Sequence, residues 1–119
     1  MTLNGACRDL NAAERKVLAC LLVPRFPGRD AIVAQLSRAR VQVLDEDGSL
    51  GFDVPSDSEP AEVESRVPTE GTYQDADGIT VHLLLHVVEG RIRELEIYKE
   101  DGSRVAISPA DVVLDVFAP

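Results

Sequence analysis

Apolar and polar residues change period along this chain, and the change divides it into a helical part and a strand part. Leu10, Ala13, Val17, Leu18, Leu21 and Leu22 share one face at helical spacing, with Arg15, Lys16 and Ala19 opposite. Asn11-Ala12-Ala13-Glu14 has the form of a capping box, and Pro24 blocks continuation, so a helix is predicted over 12–22. A second helix is predicted over 29–38, with Ile32, Val33, Leu36 and Ala39 as its apolar stripe. From Val41 the alternation becomes that of strands. Val41–Leu44 and Leu50–Val54 read as a strand and its return, joined by Glu46-Asp47-Gly48.

Farther on, Gly78, Gly90 and Gly102 stand twelve residues apart, each after an acidic residue. The runs between them, Ile79–Val87 and Arg91–Lys99, are rich in strand formers. Such spacing predicts an antiparallel meander with three similar turns. If each turn is a three-residue loop ending in a left-handed glycine, Tyr73 faces Val81, Leu83 faces Leu95, Val81 and Val105 face Ile97, and Ile107 faces Leu95. One face then gathers Tyr73, Val81, Leu83, Leu85, Val87, Leu95, Ile97, Val105 and Ile107. A two-residue loop at Glu89-Gly90 would set Glu94 and Glu96 beside Leu85 and Leu83, at a cost of several kcal/mol, order of magnitude. Arg93 is the one misfit of the three-residue register, landing on the apolar face opposite Leu85. At the end of the chain, Ser108-Pro109-Ala110-Asp111 reads as a turn, followed by a short strand within the β-branched Val112–Phe117.

The predicted fold class is α+β: two N-terminal helices packed on one face of a four-to-six-stranded antiparallel meander. The expected organisation is one domain over 1–119, with a loose leader at 1–9 and a mobile, acidic, proline-containing loop at 55–68. With 119 residues and 45% hydrophobic content the chain can bury a core without metal or disulfide staples. Trp is absent, so that core must be aliphatic.

Charge narrows the function classes. A net charge of −9 disfavours phosphate-backbone contacts with nucleic acid and docking on anionic lipid, and it permits attraction to a basic protein partner. The start of the chain lacks a signal-peptide pattern, and no apolar run spans a bilayer, so a cytoplasmic location is expected. Cys7 and Cys20 would stay reduced there. The arginine-over-lysine bias fits a bacterium of high GC content.

Two surfaces are candidates for partner binding. Between Val41 and Ser65 the acids Asp45, Glu46, Asp47, Asp53, Asp57, Glu59, Glu62 and Glu64 occur with no Lys or Arg. The polar face of the meander collects Thr72, Gln74, Thr80, His82, Glu94, Glu96, Tyr98 and Arg104, with His82 expected across from Glu96. These residues also define the alternative, a small enzyme using His82 with Glu94 or Glu96 as an acid/base set.

Cofactors are not expected. His82 and His86 lie about 13 Å apart on a strand, too far to share one metal. The Asp-x-Asp-Gly turns do not fit a calcium loop, because the first and twelfth positions fall on Tyr73 and Leu84, or on Val43 and Val54. Cys7 beside Arg8 has no positioned base.

The runs Leu83-Leu84-Leu85-His86-Val87, Glu94-Leu95-Glu96-Ile97-Tyr98 and Glu100-Asp101-Gly102, with the Leu10-Asn11-x-x-Glu14 helix start, resemble small uncharacterised acidic bacterial proteins. Some of those resemble immunity proteins encoded beside secreted toxins. The resemblance implies a non-catalytic protein-binding module, in its sharper form an inhibitor of a basic toxin. A homodimer joined through sheet edges or the open face is a further arrangement to test.

Overall fold

The computed structural model describes residues 7–119. In chain order its elements are β1 (Arg8–Asp9), α1 (Ala12–Leu21), α2 (Arg29–Leu36), β2 (Arg40–Val43), β3 (Leu50–Asp53), β4 (Thr69–Gln74), β5 (Thr80–Val88) and β6 (Arg91–Lys99), then a 3-10 turn (Pro109–Asp111) and β7 (Asp115–Phe117). The strands form one open antiparallel sheet in the order β1-β2-β3-β6-β5-β4-β7. The fold class is α+β as expected, with seven strands rather than four to six. The strand not expected is the short edge strand β1, whereas β7 lies within the predicted Val112–Phe117 strand. Residues 8 and 9, expected within a loose leader, pair with Val41 and Arg40, while residues 1–6 lie outside the described residues.

Helix α1 begins where its sequence predicts. The Asn11 side chain accepts from the Glu14 N–H, and the Glu14 carboxylate accepts from the Asn11 N–H. Val17, Leu18 and Leu21 turn into the core, whereas Ala13 stays exposed. In α2, Ile32 is buried but Val33 is not, because the inward position belongs to Gln35. The Gln35 side chain donates to the carbonyls of Glu59 and Gly90 and accepts from the Ile92 N–H. It thereby satisfies three backbone groups where α2 meets the β5–β6 turn and the 55–68 loop. That loop, expected to be mobile, is anchored elsewhere too. Ala61 N–H donates to the Gly90 carbonyl, and Arg91 donates to the carbonyls of Ser56 and Ser58.

The three glycine turns take three different forms. At Ala76-Asp77-Gly78 the expected three-residue loop is present, Asp75 pairs with Ile79, and Tyr73 faces Val81. At Gly90 the loop has two residues instead, Glu89 and Gly90, both with positive φ (52° and 78°). Such a loop alone would have buried Glu94 and Glu96. A bulge at Arg93 absorbs the error: Val87 pairs with Ile92, then Leu85 with Leu95 and Leu83 with Ile97. The apolar and polar faces are therefore those expected, but the pairing is displaced by two residues. The Arg93 misfit marked the bulge. At Gly102 the turn forms, yet no strand follows. Residues 103–107 cross the end of the sheet, and β3 takes the place beside β6. The crossing segment is held by carboxylates: Val105 N–H donates to Asp47, and the N–H groups of Ala106 and Ile107 to Asp75. The N–H groups of Val105, Ala106 and Ile107 are thus satisfied without a sheet partner.

Both helices pack on the face carrying Val81, Leu83, Leu85, Leu95 and Ile97, all buried. Gly71 of β4 leaves room for α1, since a Cβ there would lie 3.1 Å from the Leu21 side chain. Thr69 hydroxyl donates to the Leu21 carbonyl and ties the end of α1 to β4. Among the described residues, no helix is long and apolar enough to cross a membrane.

Candidate functional site: the open face of the sheet

With the helices on one side, the other side of the sheet is left without a covering layer. Its composition follows from the register. One row across the strands is Phe117, Glu70, Leu84 and Glu96; the next is Asp115, Thr72, His82 and Tyr98. Beyond Leu84, His86 faces Glu94. Leu84 therefore sits between two carboxylates at the middle of the sheet. Tyr98 and Phe117 are 39% and 46% exposed, unusual openness for aromatic side chains on strands.

The two histidines are each engaged. The His82 ring stacks on Tyr98 with centroids 4.9 Å apart and planes 12° from parallel. Its Nε2 lies 2.8 Å from Glu100 Oε1. A carboxylate only accepts, so Nε2 carries the hydrogen. His86 is held from both sides. Arg66 Nε donates to His86 Nδ1 at 3.2 Å, and His86 Nε2 donates to Glu96 at 2.8 Å. The guanidinium can only donate, which fixes the neutral Nε2–H tautomer in this arrangement. The pairing of His82 with Glu96 expected from the sequence is not formed. The two-residue displacement at the bulge sets Tyr98 across from His82, and Glu96 goes to His86. Glu94 contacts neither ring nitrogen of His82. The sequence-based list omitted His86, Arg66, Glu100, Glu70 and Leu84. Strand parity could have supplied His86 and Leu84, which lie four and two residues from His82. Arg66 could not be found, because its position depends on the path of the 55–68 loop.

The acids of residues 45–64 do not form one patch. Asp45 accepts from the N–H groups of Asp47 and Ser49 within the β2–β3 turn. That turn lies beside Ile97, to which Ser49 donates. Asp57, Glu59, Glu62 and Glu64 belong to the loop docked at Gly90, seven residues away along β6, or about 23 Å. Asp57 pairs with Arg38, and Asp53 lies at the end of β3 across from Arg40. Glu59 and Glu62 line a separate cleft with Arg25 and Arg29. Of the candidate residues, the fold gathers His82, Glu94, Glu96 and Tyr98 on one face, which Asp53 shares at the end of β3, and disperses the rest.

Among the described residues no group of three or more His, Cys, Asp or Glu side chains could hold a metal ion. Cys7 and Cys20 are free, half-buried thiols.

These features define an α+β protein whose open sheet face is acidic and studded with aromatics. Residues 7–109 match the model of a family described as a domain of unknown function, DUF6984, and the chain belongs to that family. Comparison with curated proteins gave no significant match, and comparison with solved structures gave none either.

Proposed function

We propose that this protein is a non-catalytic protein-binding module that presents its open sheet face to a basic partner. The supporting observation is the arrangement of Leu84, Tyr98 and Phe117 among Glu70, Glu94, Glu96, Glu100 and Asp115. The exposed rings of Tyr98 and Phe117, with the half-buried Leu84 between them, supply contact area, and the surrounding carboxylates accelerate encounter with a cationic surface and restrict which surface fits. The His82–Tyr98 stack and the His86–Glu96 bond hold these side chains in place before binding, which lowers the ordering cost. The resemblance to small acidic immunity proteins sharpens the reading to an inhibitor of a basic toxin, acting in the cytoplasm of a bacterium.

A photo-crosslinking residue in place of Leu84 tests this in the cells of origin, with the same residue in place of Asp45 as control. The expected product is a basic protein captured at position 84, in preference to position 45, with a yield that falls as salt rises. Capture of a second copy of this chain alone, or equal capture at both positions, would defeat the proposal.

A further inference from the structure

The last strand lies on the edge of β4 in the way a peptide ligand lies on a sheet. Asp115 pairs with Thr72, Val116 with Gly71 and Phe117 with Glu70. Val112, Leu114 and Val116 alternate along the segment, and all three pack half-buried against the core. Val113, Asp115 and Phe117 fall between them and are exposed. Backbone pairing with every second side chain in contact is the mode of strand addition.

The edge that receives this segment has its own support. β4 pairs with β5 along its whole length, Thr69–Gln74, and Thr69, Gly71 and Tyr73 are buried. Gly71 shapes the edge for a close neighbour. A Cβ there would lie 3.1 Å from the Leu21 side chain, 3.4 Å from the Asp115 carbonyl oxygen and 3.7 Å from the Val116 side chain. Glycine therefore lets α1 and an added strand approach β4 together. The segment itself is held more lightly, since no residue from 110 to 117 is buried. Upstream the chain is fixed, because Ile107 donates its N–H to Asp75 and accepts from the Tyr73 hydroxyl. A hinge thus falls at residues 108–111, where Lys16 donates to the Ala110 carbonyl from an exposed position. The family match includes α1 and β4 and stops at Pro109, before β7.

We propose that the β4 edge, with Gly71 and Leu21, is a strand-acceptor groove: residues 112–117 fill it in cis, and an extended peptide with aliphatic side chains at i, i+2 and i+4 fills it in trans. The chemistry of the incoming peptide is read from Val112, Leu114 and Val116, which show what the groove accepts. The tail is a built-in competitor. It swings out at residues 108–111, β4 keeps its place through β5, and the incoming strand takes over the pairs with residues 70–72. The anchoring side chains lie on the helix side of the sheet, so this site does not depend on a partner at the open face.

Two NMR experiments on the full chain test this. In hydrogen exchange on the unmodified protein, the amides of β7 should exchange through a local opening that low urea does not accelerate, while those of Leu83, Leu85 and Leu95 exchange through global unfolding. Leu114→Asp with Val116→Asp should then release the tail and leave the resonances of β5 and β6 dispersed. A synthetic peptide of residues 110–119 added to that variant should give saturable shifts at Leu21, Glu70, Gly71 and Thr72, with a dissociation constant of about 0.1 mM or tighter. The same peptide carrying both aspartates should bind at least about tenfold more weakly, because it loses two aliphatic anchors. The unmodified protein should also bind the native peptide about tenfold more weakly, since its own tail competes at an effective concentration of about 1 mM. Exchange of β7 and β5 amides through one common unfolding step, or collapse of β5 and β6 in the tail variant, would make the tail part of the core and overturn the proposal. So would equal binding of the two peptides, shifts confined to the open face, or no saturation by about 1 mM.

Discussion

Lys99 Nζ lies 3.0 Å from Asp75 Oδ2, with both side chains almost wholly shut off from water, and Asp77 closes the pair at 2.7 Å. This is a structural junction. Asp75 also accepts the N–H groups of Ala76, Ala106 and Ile107, so one carboxylate joins the β4–β5 turn, the end of β6 and the crossing segment. Tyr73 hydroxyl donates to the Ile107 carbonyl close by.

Stability should fall at both ends of the pH scale because of this junction. The amide of Ala106, aided by Ala76, Lys99 and Ile107, holds the Asp75 carboxyl well below the usual carboxylate range. Its contribution is complete above about pH 4, the unfolded value, and is lost as pH falls through the lower folded value. Burial, with the charges of Asp75 and Asp47, pushes Tyr73 up to about 12. That contribution is complete below about pH 10 and is lost as pH rises toward the folded value. Urea midpoints measured across pH should show both declines, and Tyr73→Phe should flatten the alkaline one. An alkaline limb unchanged by Tyr73→Phe would assign it to other groups.

The members of the junction should not be equally sensitive. Lys99→Met leaves Asp75 with three backbone donors. Asp75→Ala removes the acceptor of the part-buried amides of Ala106 and Ile107 and leaves the buried Lys99 ammonium with Asp77 alone. Asp75→Ala should therefore lower the thermal midpoint more than Lys99→Met, and Asp77→Ala, at a half-exposed position, least of all. The opposite order by calorimetry would show that the ion pair, not the amide cradle, holds the crossing segment.

Two glycines of the twelve-residue series should respond differently to alanine. Gly78 has φ 81° and open space around it, so Gly78→Ala should cost about 1 kcal/mol from backbone strain alone. Gly90 has φ 78°, and its added Cβ would lie 2.6 Å from the Pro60 Cβ. Gly90→Ala should cost a further 1–3 kcal/mol, roughly, because the docked loop must move. Equal costs in denaturant unfolding would mean that Pro60 is not packed there.

How far the fold was legible follows from the range of each signal. The capping box at Asn11–Glu14, the helix limits, the first glycine loop and the terminal turn-and-strand are set by residues within a few positions of one another, and each lies where the sequence places it. The Glu89-Gly90 loop and the Arg93 bulge compensate each other, so the alternation of apolar residues predicts the right faces while leaving the pairing two residues out. The fate of residues 103–107 was not legible, because it depends on Asp47 and Asp75, 58 and 31 positions away from Val105 and Ala106. The site divides the same way. Strand parity brings His82, Glu94, Glu96 and Tyr98 to one face, but their actual partners depend on the bulge.

Leu83 tests the core beneath that face. It is fully buried and faces Ile97. Leu83→Ala should cost about 2–5 kcal/mol in denaturant unfolding. Because the shift of register preserved the side on which Leu83 lies, this expectation is the same for either pairing. A loss below about 0.5 kcal/mol would place Leu83 outside the core.

Substitutions on the open face should separate binding from folding. Tyr98→Ala removes a half-exposed ring that stacks on His82 and contributes little to the core, so its stability cost should stay within about 1 kcal/mol. Against the partner captured at position 84, Tyr98→Ala should act mainly by speeding dissociation, since it deletes contact area. Glu94→Lys with Glu96→Lys should act mainly by slowing association and weakening its salt dependence, since it removes the steering charge. Surface plasmon resonance at two ionic strengths distinguishes these effects. If the double charge reversal left the association rate unchanged while both variants stayed folded, the partner would not be approaching through this face.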